Sequence, residues 1–245
     1  MQEDRIFISK ETFNRMLKDV KDIVMQPLHS HGIYYIHNED DMLKGSALII
    51  GQAGTPYEDG FYLFELKYPA NYPHSPPEVM FRTNDGQTRF NPNLYITGKV
   101  CLSVLNTWQG DQWTGCQTIS SLLLSICTLL NETPLLNEPG LKENHVDYNK
   151  YHNIITYKNF DTAMLEVLLG EYTTTNFPMF IMTMQTHFLE RFDYTLKRIH
   201  ALRELHPTRV TIHTMIYGMN ITIDYNKLLD KMHNVKDSLC EKGFM

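Results

Sequence analysis

Four short runs of strand-forming residues lie close together in the first third of the chain and constrain its fold more than any other feature. They span residues 32–37, 46–50, 61–67 and 78–81, and turn-rich segments separate them. Because connections this short join neighbouring strands of opposite direction, the pattern predicts a four-stranded antiparallel meander.

Helical periodicity precedes and follows the predicted sheet. The first helical segment begins after Ser9, a candidate N-cap, and the second runs from Ile119 to Leu130, before Pro134. The apolar residues of the first segment are Phe13, Met16, Leu17, Val20 and Val24. We expect an opening amphipathic helix and a central buried helix, which together with the sheet make an α+β fold.

Two further segments are predicted to be ordered loops. Residues 68–77 contain four prolines, which fix the backbone and withhold hydrogen-bond donors, so this stretch predicts a rigid surface loop. Residues 90–117 keep no period but are rich in large apolar side chains, which indicates a long loop packed onto the fold. Long ordered loops commonly carry functional residues.

The sequence becomes helical in pattern almost throughout after about residue 142. One helix is predicted around residues 177–202, with Pro178 in its first turn and an apolar stripe that includes Met184, Phe188, Phe192 and Ile199. A last helix of mixed charge, with a solvated outer face, is predicted around residues 225–240. We divide the chain into a core, residues 1–159, and an all-helical C-terminal extension, residues 160–245.

Charge, apolar stretches and cysteine spacing indicate which partners and which cell compartment the protein has. A net charge of -6 without clusters of Lys or Arg argues against nucleic acid as a partner. No apolar stretch approaches the roughly 20 residues that cross a membrane, and the first residues lack the core of a signal peptide. Four cysteines without CxxC spacing fit free thiols, which predicts an intracellular location, cytoplasmic or nuclear.

The most informative segment runs from Thr88 to Trp108. It contains the tripeptide Asn91-Pro92-Asn93, and Cys101 follows Asn93 by eight residues. This arrangement resembles the active-site segment of ubiquitin-conjugating enzymes, where a His-Pro-Asn tripeptide precedes a catalytic cysteine.

Other features resemble the same family and follow its order along the chain. They are Pro56-Tyr57, Gly60-Phe61, Tyr72-Pro73, Pro76-Pro77, Trp113 and the helix after it. The resemblance covers about residues 13–157 and implies the family's UBC fold. It also implies an acyltransferase that takes ubiquitin from an activating enzyme and passes it to substrate lysines. Three features resemble the large hybrid conjugating-enzyme and ligase subclass, typified by O-type and baculoviral-repeat members. They are Asn91 in the tripeptide, residues 106–110 and residues 137–140.

Cys101 is the candidate nucleophile, because a thiolate both attacks a thioester and leaves from one. Asn93 has two open roles: its amide can donate to the oxyanion formed when an amine attacks, or it can pin the loop backbone. Asn91 replaces a family histidine whose place is mainly structural. Glu138 occupies the position of the family's gate residue, where a carboxylate can orient or deprotonate the incoming lysine. A solvated loop acid is the alternative for Glu138.

Partner surfaces are implied by the resemblance alone. Arg15, Lys18 and Lys21 lie on the polar side of the first helix, where the family meets its activating enzyme. Trp113 is a candidate partner-binding residue, and His74 and residues 114–116 stand where the family contacts ring-type ligases. Because these positions depart from the family pattern, we expect the protein to choose its substrate through the C-terminal extension. A ubiquitin ligase remains a further candidate partner.

Two other classes of protein are alternatives. A non-catalytic ubiquitin-binding variant of the fold would lack Cys101, and a cysteine peptidase would need a histidine base, for which the eleven histidines offer no signature. A metal site at His29, His31 and His37 lacks the accompanying Cys or acidic ligands. No cofactor is implied for this chain, because the resemblance assigns ATP use to the activating enzyme.

Overall fold

The computed structural model describes residues 7–241 and has the predicted α+β architecture. The strands are β1 (Ile33–His37), β2 (Lys44–Ile50), β3 (Phe61–Lys67), β4 (Glu78–Phe81), β5 (Val210–His213) and β6 (Asn220–Ile223). The helices are α1 (Lys10–Met25), α2 (Ile119–Cys127), α3 (Tyr148–Lys158), α4 (Val167–Leu169), α5 (Glu171–Asn176), α6 (Ile181–Leu205) and α7 (Tyr225–Glu241).

The first four strands form one antiparallel sheet in the order β1-β2-β3-β4, as the meander pattern predicts. Ile33 pairs with Ile49, and Phe64 pairs with Phe81, so large apolar side chains of neighbouring strands share a face. The first strand begins one residue after the predicted Gly32, because Gly32 has a φ of 69° and belongs to the preceding turn. Its missing Cβ also leaves room for the carbonyl of Ile50.

Helix α1 begins at the predicted N-cap, where the hydroxyl of Ser9 accepts a hydrogen bond from the backbone N–H of Thr12 at 3.0 Å. The predicted apolar face is wrong in part. Met16 is buried, but Phe13, Leu17 and Val24 are 42%, 49% and 63% exposed.

The helix instead buries a face that includes Asp19. The carboxylate of Asp19 is satisfied there by Arg15 at 2.9 Å and by the hydroxyl of Tyr72 at 2.5 Å. These bonds compensate the burial of a polar group, so apolar periodicity alone does not decide which face turns inward.

Helix α2 is the predicted central helix. Thr118 caps it in a reciprocal pair with Ser121, and its inner side is fully apolar. The buried residues on this side are Ile119, Leu122, Leu123 and Ile126. The helix therefore contributes its inner side to the hydrophobic core.

Helix α3 continues through a π-helical segment, Asn159–Glu166, into α4, so one helical rod crosses the predicted boundary between residues 159 and 160. Asn159 is buried, accepts a hydrogen bond from the hydroxyl of Tyr62 at 2.6 Å and donates to the carbonyl of Glu58 at 2.9 Å. Gly60 faces the same side chain, and a Cβ there would overlap its Oδ1. The division of the chain into two domains remains a prediction.

The C-terminal extension is largely helical, but the prediction that it is all-helical is wrong. Strands β5 and β6 form an antiparallel hairpin in which Val210 pairs with Ile223. Both strands alternate Val or Ile with polar residues, and this alternation favours strands over helices. The turn between them contains Tyr217 and Gly218, both with positive φ.

The two long helices of the extension bury apolar stripes. In α6 the predicted stripe is inside, with Met184, Phe188, Phe192 and Ile199 buried. Helix α7 has an exposed face as predicted, but Leu228, Met232, Val235 and Leu239 are also buried. Within residues 7–241, no helix has the length and apolar character needed to cross a membrane.

Charged groups fasten α6 to the turn that precedes β3. Arg191 lies 3.2 Å from Asp59 and 3.3 Å from Glu58, and the imidazole of His187 lies 2.9 Å from Asp59. Burial opposes the charge on Asp59, but the hydrogen bond from His187 and the charge of Arg191 hold its pKa below the ordinary value. The extension is therefore bound to the core by a network of ion pairs.

Candidate active site

Cys101 lies at the end of a small hairpin that the long loop forms on the sheet. The backbone N–H of Cys101 donates to the carbonyl of Asn93 at 2.9 Å, and that of Tyr95 donates to Lys99 at 2.9 Å. Gly98, with a φ of 90°, makes the turn. The eight-residue spacing between Asn93 and Cys101 is thus the spacing that sets them opposite each other in an antiparallel pair.

The side chain of Asn93 closes the same pair. Its Nδ2 donates a hydrogen bond to the carbonyl of Cys101 at 2.7 Å, and Asn93 is itself buried. In this conformation one amide N–H therefore pins the backbone of the cysteine. The amide nitrogen carries a second hydrogen, so pinning the backbone does not use all of its donor capacity.

The residues on both sides of Cys101 are held by Thr107. Its Oγ1 accepts from the N–H of Leu102 at 2.9 Å and donates to the carbonyl of Val100 at 3.1 Å. Cys101 is only 2% exposed. The residue that the sequence predicts as the nucleophile is therefore packed within the loop.

Asn91 is the structural centre of the loop, as its replacement of the family histidine predicts. Its Nδ2 donates to the carbonyl of Leu129 at 2.7 Å and to the hydroxyl of Tyr57 at 3.0 Å. Its Oδ1 accepts from the N–H of Asn93 at 2.9 Å and from the side chain of Asn137 at 3.3 Å. Both donors and both lone pairs of a fully buried side chain are thereby satisfied.

Glu138 is half-buried and directly follows Asn137. Because the side chain of Asn137 binds that of Asn91, this contact links Glu138 to the cysteine hairpin. Its Oε2 accepts a hydrogen bond from the hydroxyl of Tyr217 at 2.6 Å. Burial and this hydrogen bond raise the pKa of the Tyr217 phenol well above its usual value, so the phenol remains a donor at neutral pH.

Sequence reasoning missed Tyr217, which comes from the turn between β5 and β6 in the extension. The turn is held by Asp147, whose Oδ2 accepts from the N–H groups of Met215 at 2.8 Å and Ile216 at 2.9 Å. Burial opposes the charge on Asp147, but these two bonds help to hold its pKa below the ordinary value. The only sequence signal was the alternation that predicts the flanking strands.

Arg89 links this turn to the cysteine hairpin and was also missed. Its guanidinium lies 3.3 Å from the ring centre of Tyr95 and 5.0 Å from that of Tyr217. It donates to the carbonyls of Asn91 at 3.2 Å and Pro92 at 2.6 Å. The cation therefore joins one ring from the core and one from the extension beside the tripeptide.

The three cations predicted on α1 differ in their surroundings. Lys18 and Lys21 are exposed. Arg15 is only 20% exposed and binds Asp19 and the carbonyls of Gly115 and Gln117, so it fastens α1 to the loop before α2. The exposed Phe13, Leu17 and Val24 lie on the same helix and add an apolar component to this surface.

The two residues predicted at the ligase-facing end also differ. His74 is exposed, with its Nε2 3.4 Å from the carboxylate of Glu11. Trp113 is only 7% exposed, and its indole N–H donates to the carbonyl of Pro73 at 2.7 Å. In this structure Trp113 anchors the proline-rich loop that carries His74, and its part in partner binding remains a prediction.

All four cysteines are unpaired. Cys116 is exposed in the loop, whereas Cys127 is half-buried in α2, where burial raises the pKa of its thiol. A raised pKa disfavours the thiolate, which lowers the reactivity of the Cys127 thiol. Among residues 7–241, no cluster of three or more His, Cys, Asp or Glu side chains is arranged to hold a metal ion.

Comparison with known proteins places these features in a family. The ubiquitin-conjugating enzyme family profile matches residues 15–160. Ubiquitin-conjugating enzyme E2 Z of Danio rerio is 38% identical over 189 residues, which cover 76% of this chain and 56% of the relative. E2 Z of Homo sapiens is 35% identical over 231 residues, covering 93% of this chain and 64% of the relative. A probable ubiquitin-conjugating enzyme, E2 24 of Arabidopsis thaliana, is 38% identical over 178 residues, which cover 67% of this chain and 18% of the relative. The chain thus spans 56% to 64% of the two E2 Z relatives.

Proposed function

Because the chain belongs to the ubiquitin-conjugating enzyme family, we propose that it accepts ubiquitin as a thioester on Cys101 and transfers it to a substrate lysine. The observation that carries this proposal is the hairpin that sets Cys101 opposite Asn93 through hydrogen bonds of 2.9 and 2.7 Å. Ubiquitin, its activating enzyme and substrate lysines are the corresponding partners.

The proposed reaction consists of two acyl transfers. In the first, the Cys101 thiolate attacks the thioester carbonyl of ubiquitin on the activating enzyme, and that enzyme's thiolate leaves. In the second, a lysine amine attacks the new thioester, loses a proton, and the Cys101 thiolate departs as the amide forms. The first step exchanges one thioester for another, whereas the second needs a proton acceptor and a donor for the oxyanion.

Asn93 and Glu138 fit the two needs of the second step. We propose that the second N–H of the Asn93 amide binds the oxyanion while the first keeps its bond to the Cys101 carbonyl. We propose that the Glu138 carboxylate orients the lysine and assists its deprotonation. Its half-buried position supports this role over that of a solvated loop acid.

The surface proposed for the activating enzyme is the exposed side of α1. Phe13, Leu17, Lys21 and Val24 follow one another at four- and three-residue spacing and are all exposed. Lys18 borders this stripe. An apolar stripe with cations beside it suits a partner of mixed apolar and acidic character.

We also propose that the chain belongs to the hybrid subclass that selects its own substrates. Residues 106–110 and 137–140 support this proposal, as does a histidine, His74, where ring-type ligases would meet an apolar residue. Transfer to a substrate without any ring-type ligase is the corresponding test.

The four unpaired thiols support an intracellular location, cytoplasmic or nuclear.

The test of the proposed activity is incubation with activating enzyme, ATP and a panel of ubiquitin-like modifiers, followed by electrophoresis without reductant. We expect a reductant-sensitive adduct with ubiquitin that is absent from Cys101→Ala and present in Cys116→Ala, which removes an exposed cysteine. A non-catalytic ubiquitin-binding variant would bind ubiquitin without forming this adduct. That result would replace the proposed activity with a binding function.

A further inference from the structure

We propose that Tyr217 of the C-terminal extension is a positioning residue that fixes the carboxylate of Glu138 for attack by the substrate lysine. This inference rests on the proposed function, because it assigns Glu138 the part given to it above. It adds to that function a contribution from a segment outside the matched family region, which ends at residue 160.

The contact is short and joins distant parts of the chain. The Tyr217 hydroxyl lies 2.6 Å from Oε2 of Glu138, and 79 residues separate the two. A hydroxyl that donates to a carboxylate forms a charge-assisted bond, which is stronger and shorter than one between neutral groups. It restrains a side chain that would otherwise sample several rotamers.

Hydrogen bonds to the backbone of the turn fix the position of Tyr217. Tyr217 has a φ of 60°, which is uncommon for a residue with a Cβ. Asp147 binds the N–H groups of Met215 and Ile216, and the N–H of Thr214 donates to the carbonyl of Met219 at 3.0 Å. Such a backbone conformation persists where surrounding contacts determine it, as they do here.

The ring of Tyr217 is held by cationic and aromatic neighbours. The Arg89 guanidinium lies 5.0 Å from its centre, and the ring of Tyr151 lies 6.0 Å away. Arg89 also binds the carbonyls of Asn91 and Pro92, so the same contacts that fix Tyr217 reach the tripeptide beside Cys101. Tyr217 is therefore fixed relative to the cysteine hairpin, which is the requirement for a group that positions another.

The experiment is a double-mutant cycle on single-turnover discharge of ubiquitin from the full chain to free lysine. Tyr217→Phe, Glu138→Ala and the double variant are each loaded first, and the loaded fraction is measured. We expect normal loading in all three and a maximal discharge rate that falls about fivefold in Tyr217→Phe. The lysine concentration at half-maximal rate should stay unchanged. The double variant should discharge at the rate of Glu138→Ala, because Tyr217 acts only through that carboxylate.

Tyr172→Phe is the matched control. It removes another hydroxyl of the extension that binds a core glutamate, Glu65, at 3.3 Å, and we expect it to discharge normally. A normal rate in Tyr217→Phe would overturn the inference, as would losses that multiply in the double variant or an equal loss in Tyr172→Phe. A normal rate in Glu138→Ala would also overturn it, while loading on Cys101 in the same samples tests the proposed function separately.

Discussion

Replacement of Asn93 by alanine separates the two roles that its amide can have. The side chain donates to the carbonyl of Cys101 at 2.7 Å, and Asn93 itself is buried. Its removal leaves a buried acceptor without a partner, which costs about 1–3 kcal/mol in free energy of unfolding. If the amide also binds the oxyanion, its loss slows discharge to lysine by about a hundredfold.

These two effects can be distinguished by their size. A protein of about 5 kcal/mol stability that loses about 2 kcal/mol is still more than about 99% folded. Unfolding therefore cannot produce a hundredfold loss of rate. We expect Asn93→Ala to load Cys101 at a nearly normal rate, to unfold at lower denaturant concentration, and to discharge about a hundredfold more slowly.

Thr107→Ala is the control for loosening of the loop, because Thr107 binds the backbone of the residues on either side of Cys101. It should lower stability without slowing discharge by more than about threefold, since the hydroxyl is assigned no part in the reaction. The assay is single-turnover discharge of the preloaded enzyme, with denaturant unfolding on the same samples. The oxyanion role is refuted if Asn93→Ala discharges within about threefold of the parent or if Thr107→Ala slows equally.

Two further predictions concern the attachment of the extension to the core. Asp59→Asn should make the free energy of unfolding less dependent on pH in the acid range. The folded pKa of Asp59 lies below its ordinary value of 3.8, so its stabilising contribution is present above that value and is lost as pH falls through the folded pKa. Urea midpoints at neutral and acid pH measure this, and a parent and variant that lose stability in parallel would contradict it. Gly60→Ala should destabilise the protein by roughly 2 kcal/mol or more, because its Cβ would displace Asn159. Gly115→Ala, whose Cβ would meet only Pro73 at 4.0 Å, should be nearly neutral in the same measurement, and equal losses would refute the argument.

Local patterns were sufficient to predict the sheet and the main helices. The meander follows from short runs joined by turns, and the start of α1 follows from the hydroxyl of Ser9 at the N-cap. In α6 the stripe that includes Phe188 and Ile199 is buried as predicted. In each case the determining signal lies within one helix or one pair of neighbouring strands.

The errors come from features that depend on distant partners. The periodicity of α1 did not predict that Asp19 would be buried, because its partner Tyr72 lies 53 residues away. The hairpin of β5 and β6 was hidden in a region of strong helical pattern, although Val210 and Ile212 follow the alternation of a strand. Tertiary contacts outweigh local pattern at both places.

The candidate site divides in the same way. The pairing of Cys101 with Asn93 is encoded in an eight-residue spacing, which the sequence displays directly. Glu138 was placed by resemblance, and its partner Tyr217 was not found, because no local pattern joins residues 79 positions apart. The buried state of Cys101 is likewise a property of the assembled loop.

Mass spectrometry of two cysteine variants tests most directly whether Cys101 alone carries the thioester. One variant keeps only Cys101, with Cys116, Cys127 and Cys240 replaced, and the other lacks only Cys101. After incubation with activating enzyme, ATP and ubiquitin, we expect the first variant to gain the mass of one ubiquitin and to lose it on reduction, while the second gains none. A reducible adduct on the second variant, or none on a folded first variant, would contradict the account.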